Sequence, residues 1–180
     1  MIHHRILKKQ MFTIFSAIIA YIISLIPLHL TSFYLTIGFI PIVILGVNYG
    51  AKYSLTASLL WGFLTIITGQ AETLTTWQVF IEYIIAFTCG GLCGIYNFRN
   101  HKKTKSTLII SLSIGVICRY FWHFIAGVMF WKQFMPAKIN PYLYSFITNS
   151  LSALLTIIAD GLVLILIYKF QPTLFKQNTN

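Results

Sequence analysis

The chain is 180 residues long and 57% apolar, and its 13 Lys or Arg against 3 Asp or Glu give a net charge of +10. So few charges exclude an ordinary soluble domain, where roughly a quarter of residues are charged. The basic residues sit in short islands between apolar stretches rather than on one face, which excludes a nucleic-acid-binding surface and leaves an all-α polytopic membrane protein in contact with the lipid bilayer.

No charge occurs from Gln10 to Ala51, a run too long for one crossing. Pro27 and the polar His29, Thr31 and Ser32 divide it, so spans are predicted over 11–28 and 35–50. The uncharged stretch from Tyr53 to Ala71 rises about 28 Å as a helix and nearly crosses a hydrocarbon core of about 30 Å, giving a third span at 53–71. Three more follow at 77–98, 106–131 and 142–168. The whole of 1–180 reads as one six-helix membrane domain with both termini on one side.

Which side follows from the basic residues. Arg5, Lys8, Lys9, Lys52, Arg99, Lys102, Lys103, Lys105, Lys169 and Lys176 fall with the termini, and only Lys132 and Lys138 fall opposite. Both termini are therefore expected in the cytoplasm. His3 and His4 precede a hydrophobic segment of span length, so the first span is read as retained rather than cleaved. Cys89, Cys93 and Cys118 lie inside apolar segments without metal-ligand spacing and read as small buried hydrophobes. No glycine-rich phosphate loop is present, so ATP hydrolysis is expected on other subunits, and neither an enzyme nor a bound cofactor or metal is read from the chain.

Charged side chains inside a membrane are expensive, which singles out Glu82, Arg119 and Asp160. By helical rise Glu82 lies about 8–10 Å, His123 about 12 Å and Asn149 about 10 Å below the outer ends of their spans, so three polar groups share one level. Arg119, His123, Gly127 and Trp131 recur every four residues and form one stripe on span five. Tyr144 and Asn149 border the same level on span six. Singly, such residues are interhelical hydrogen-bond glue; together, an acid, a base, an amide and aromatics at one depth define a ligand site. Asp160 faces as Asn149 does but about 16 Å deeper, and is expected to pair with Arg119 or reach toward the surface. Trp77 and Trp122 read as an interfacial aromatic belt. Ser16, Ala20 and Ser24, with Ala17 beside them, form a stripe of small residues on span one that lets another helix approach closely.

Three segments carry a family likeness: WQVFIEYIIAF at 77–87, RYFWHFIAGVMFW at 119–131 and YSFITN at 144–149. They resemble the thiamine-specific S component of energy-coupling-factor vitamin transporters, and the likeness extends to Leu25-Ile26-Pro27 and to Gly38-Phe39-Ile40-Pro41. The resemblance implies a six-helix S-component fold in a prokaryotic plasma membrane that captures thiamine from outside with high affinity. It also implies docking on a separate module of one membrane coupling protein and two ATPase subunits. Glu82 would meet the thiazolium charge and the aminopyrimidine, His123 and Trp131 would stack on the rings, Asn149 and Tyr144 would make polar contacts, and Tyr83 and Gly127 would line the cavity. Arg119 stands where the family tends to place a basic residue, and Ser16, Ala17, Ala20 and Ser24 would form the docking face. The family's loop tryptophan lid is missing, since no Trp precedes Trp61, and Phe33 or Tyr34 is the expected substitute. Alternatives are an S component for another vitamin or a thiamine precursor, and an intramembrane enzyme using Glu82 and His123 as acid and base.

Overall fold

The computed structural model of the chain describes residues 2–26, 28–30, 33–96 and 103–175. Among them six helices follow in order: α1 (Ile2–Ser24), α2 (Phe39–Tyr49), α3 (Ala51–Ile67), α4 (Thr76–Gly94), α5 (Lys105–Phe134) and α6 (Pro141–Phe170). A two-rung antiparallel hairpin, β1 (His29–Leu30) with β2 (Phe33–Tyr34), stands between α1 and α2. Helices α1, α4, α5 and α6 are each long and apolar enough to cross a membrane, while α2 and α3 are apolar but shorter. The all-α membrane fold read from the sequence is thus the one observed. Pro27, Thr31, Ser32, Arg99, Lys102 and Lys176, used above for breaks and for topology, lie outside the described residues.

Helix ends follow local chemistry. The Thr75 hydroxyl accepts from the Gln78 N–H at the start of α4, Thr104 and Thr107 form a reciprocal capping box before α5, and Asn140 caps α6 with Pro141 in its first turn. Between α2 and α3 the chain turns at Gly50, whose φ of 90° favours glycine. At the other boundary α1 begins at Ile2 rather than at 11, because the basic first turns stay helical, with Lys8 over the Phe12 ring at 5.9 Å and Lys9 over Tyr53 at 5.6 Å.

The predicted span 35–50 is helical only from Phe39. Residues 33–36 run beside α6 before a turn at 37–38. Their backbone is satisfied by side chains: Tyr34 N–H donates to Ser152 Oγ at 3.1 Å and Thr36 N–H to Thr156 Oγ1 at 3.2 Å. From α5, Tyr120 donates to the Tyr34 carbonyl at 2.7 Å and shares hydrogen bonds with Thr36 and Thr156. In a lipid environment an extended stretch persists only when such partners replace the helical ladder. The three- and four-residue spacing of Ser145, Asn149, Ser152, Thr156 and Asp160 puts these polar groups on one inward stripe of a helix whose other faces expose Leu, Ile and Phe.

The small-residue stripe of α1 requires a correction. Ala17 and Ala20 are 1% and 0% exposed, packed inside the chain against α2 and α3, and Ser24 accepts a hydrogen bond from Trp61 Nε1 at 3.1 Å. Small residues let α3 bring the Trp61 indole against α1, so the seam is internal. Ser16 and Ser24 are partly exposed, and the outward face of α1 carries Phe15, Ile18, Ile19 and Ile22. Spacing identifies a close-packing face but does not say whether the partner is another chain or the same one.

At the end carrying the termini, Lys103 donates to Asn48 Oδ1, Asn48 donates to the Leu174 carbonyl at 2.8 Å, and the Tyr168 hydroxyl donates to the Lys103 carbonyl at 2.9 Å. Burial pulls the Lys103 ammonium below its usual range.

Because Thr156 is fully buried and accepts from the extended segment, Thr156→Val leaves the Thr36 N–H without its partner. The expected loss is about 1–3 kcal/mol, read as a lowered unfolding temperature of the detergent-solubilised protein. An unchanged melting temperature would refute the tethering role.

Candidate ligand-binding site

Two of the helices depart from α geometry where the predicted site residues lie. Helix α4 is π-helical over Phe80–Ile85, which includes Glu82 and Tyr83, and α5 is π-helical over Gly127–Trp131. Such single-turn π segments are frequent at functional sites. The extra residue per turn also takes Trp131 off the straight stripe drawn through Arg119, His123 and Gly127.

Glu82 is 6% exposed. Its Oε1 accepts from Trp131 Nε1 at 2.8 Å, its Oε2 accepts from Gln78 Nε2, and His123 Nδ1 stands 4.0 Å from Oε1. Indole and amide donors bond both oxygens without adding positive charge.

Arg119 does not reach that carboxylate. Its Nε donates to His123 Nε2 at 3.3 Å, and its guanidinium lies 3.8 Å from the centre of the Phe87 ring, 4.6 Å from Trp61 and 5.5 Å from Phe39. Three ring faces replace the counter-ion: a desolvated cation–π contact is worth about 2 kcal/mol or more, and guanidinium is weakly hydrated and planar. This corrects two expectations. Arg119 stands behind His123 rather than at the carboxylate, and the ion pair with Asp160 is not formed, since both Asp160 carboxylate oxygens and Arg119 Nη1 lack hydrogen-bond partners among the described residues. Accepting from Arg119 requires His123 Nε2 to be unprotonated. The network therefore assigns the neutral tautomer with the proton on Nδ1, toward Glu82.

The remaining predicted residues surround this centre at different removes. Gly127, one turn beyond His123, lets α5 and α6 close on each other, since a Cβ there would fall on the Ser145 hydroxyl. Ser145 donates to the Phe124 carbonyl at 2.9 Å, and Asn149 Nδ2 donates to the Ser145 carbonyl at 2.9 Å, which holds Asn149 beside Gly127. Tyr144 precedes Ser145 and is half-buried. Tyr83 turns its hydroxyl to the Glu72 N–H at 2.9 Å and its ring toward Phe87. Tyr34, at the hairpin, is 54% exposed. Partial burial, then the charges of Glu72 and Glu82, push its phenol above the ordinary value.

Sequence reasoning missed Gln78, Trp61 and Tyr120, all buried and all hydrogen-bonded to or packed on the groups described. The available signal was the four-residue spacing of Gln78 and Glu82, which puts an amide on the face of the acid.

A buried carboxylate met by neutral donors, an imidazole and a ring-boxed guanidinium form one polar cluster inside a multi-pass helical membrane protein. Residues 10–176 match the thiamine transporter protein family (Thia_YuaJ). Thiamine transporter ThiT of Lacticaseibacillus paracasei is 34% identical over 78% of this chain and 76% of its own length, and that of Bacillus subtilis is 31% identical over 79% of each. The solved structure of ThiT from Listeria monocytogenes superimposes with a TM-score of 0.86 at 30% identity, covering 95% of this chain and 98% of the other. The chain belongs to the thiamine transporter protein family. The resemblance to thiamine-specific S components is borne out, and the chain stands with transporters rather than enzymes, which sets aside acid–base chemistry by Glu82 and His123.

Gly127→Ala would drive α5 from α6 at Ser145, an overpacking expected to cost about 1–3 kcal/mol. Thermal unfolding in detergent measures it, and full retention of stability would contradict the close approach.

Proposed function

We propose that this chain captures thiamine at the end of the bundle opposite its termini and delivers it, as the substrate-specific subunit, to an ATP-driven importer whose coupling protein and two ATPases are separate chains. In this reading the termini face the cytoplasm, the membrane is the plasma membrane, and the site opens to the outside with high affinity. The observation that carries the reading is the Glu82 carboxylate, buried and bonded by neutral groups while the nearby Arg119 is turned to aromatic rings.

Thiamine is a permanent aromatic cation. A carboxylate not neutralised by an internal counter-ion offers it charge, and the Trp131 and His123 rings offer it stacking and cation–π attraction. On binding, the ligand would take over the hydrogen-bonding capacity of Glu82 that the Trp131 indole uses in the closed arrangement. Tyr144 and Asn149 supply polar contacts from α6, and Tyr34 or Phe33 covers the entrance. A neutral vitamin would leave Glu82 as an uncompensated buried charge.

Tryptophan fluorescence of the purified chain should be quenched saturably by thiamine and not by riboflavin or biotin, with Glu82→Gln and Trp131→Ala each weakening binding at least about tenfold, that is by about 1.4 kcal/mol or more. Equal affinity in Glu82→Gln, or a response to another vitamin alone, would reject thiamine capture through this carboxylate. Protonating His123 would break its bond from Arg119 and set a second cation beside the ligand, so thiamine affinity should fall as pH is lowered from neutral through the imidazole range. Titrations at several pH values check the sign, and tighter binding at acid pH would overturn it.

A further inference from the structure

We infer that Gln78 is a positioning residue for thiamine binding, aiming the Glu82 carboxylate and locking it to the loop between α3 and α4. The inference rests on thiamine capture by Glu82 and adds to it a residue that touches the anion rather than the ligand.

Gln78 is 0% exposed, on the last α-helical turn before the π segment. Every part of it is engaged. Its backbone N–H donates to Thr75 Oγ1 at 3.1 Å, its Oε1 accepts from the Leu74 N–H at 3.0 Å, and its Nε2 donates both to the Glu72 carbonyl at 3.0 Å and to Glu82 Oε2. These partners fix which way the amide points: a donor on one side and two acceptors on the other admit a single orientation. A wholly buried amide is costly unless satisfied, and here both N–H groups are used. One of them is spent on the anion.

The chemistry explains why an amide occupies this place. A lysine or arginine would satisfy Glu82 Oε2 equally well but would neutralise it, and a cationic ligand would then meet no net attraction. An apolar residue would leave the oxygen unbonded. Glutamine holds the carboxylate at a defined angle with no formal charge. Its other N–H and its carbonyl grip the backbone at Glu72 and Leu74, and the Tyr83 hydroxyl accepts from the Glu72 N–H as well. The loop is therefore held twice by residues flanking Glu82 in the sequence, so the carboxylate and the loop share one rigid frame.

A double-mutant cycle on thiamine affinity tests the assignment, using the full chain in detergent with Gln78→Met, Glu82→Gln and the double variant. Gln78→Met should weaken thiamine binding about tenfold or more in the wild-type background, and by less than about twofold once Glu82 is Gln, since its effect passes through the charged carboxylate. Equal fold-losses in both backgrounds would reduce Gln78 to a merely structural role, and no loss in the wild-type background would remove the role altogether. If Gln78→Met cannot be purified folded, Gln78→Asn, which withdraws the same amide by one methylene, takes its place with the same expectations. Should wild type and Glu82→Gln bind thiamine equally, the capture reading itself fails, whatever Gln78 does.

Discussion

A buried carboxylate bonded by neutral donors organises the polar groups around it in this chain. Glu82 could be stabilised by the buried Arg119 guanidinium, but that pairing would cancel the charge. Instead Trp131 and Gln78 bond its two oxygens, and His123 stands between it and Arg119. Arg119 is then stabilised by Phe87, Trp61 and Phe39, which brings α2 and α3 into the support of a site whose named side chains lie on α4, α5 and α6. The Trp61 indole passes the dependence on, since its N–H bonds to Ser24 at the end of α1.

A second constraint is the backbone. Hydrocarbon offers no hydrogen bonds, so a chain that leaves the helical ladder must find side-chain partners. Ser152 and Thr156 on α6 and Tyr120 on α5 provide them for the segment entering α2. The same stripe of α6, continued toward its start, places Asn149 against Gly127. One row of small polar residues thus tethers the extended segment near the hairpin and shapes the flank of the site.

Much of this was legible in the sequence. Glu82, His123 and Trp131 came from charge placement, helical depth and four-residue spacing, and these are the residues the structure brings together. Less legible were features set by tertiary pairing. The segment at 35–38 is apolar enough to be read as the start of a helix, and hydroxyls of two distant helices, on Ser152, Thr156 and Tyr120, hold the stretch around Tyr34 and Thr36 out of the helical ladder. Ser16, Ala17, Ala20 and Ser24 announce close packing but not its partner, which is the chain's own Trp61. Arg119 shared a stripe with His123, and spacing placed it at the site; its counterpart turned out to be aromatic faces, which carry no charge pattern to search for. Gln78 looked like an ordinary polar residue near a helix start, and its role follows only from the loop folded over it.

The two π-helical turns bear on how this chain can change through descent. An extra residue lodged in a turn of α4 and another in α5 set the angular phase of everything beyond them, by roughly 100° for each residue gained or lost. Deleting one residue within 80–85 would relax the turn to ordinary helix and swing Glu82 relative to the face that packs on α3; the same event within 127–131 would carry Trp131 away from the carboxylate. The placement of Glu82 and Trp131 thus depends on the length of these two stretches as well as on the side chains they carry.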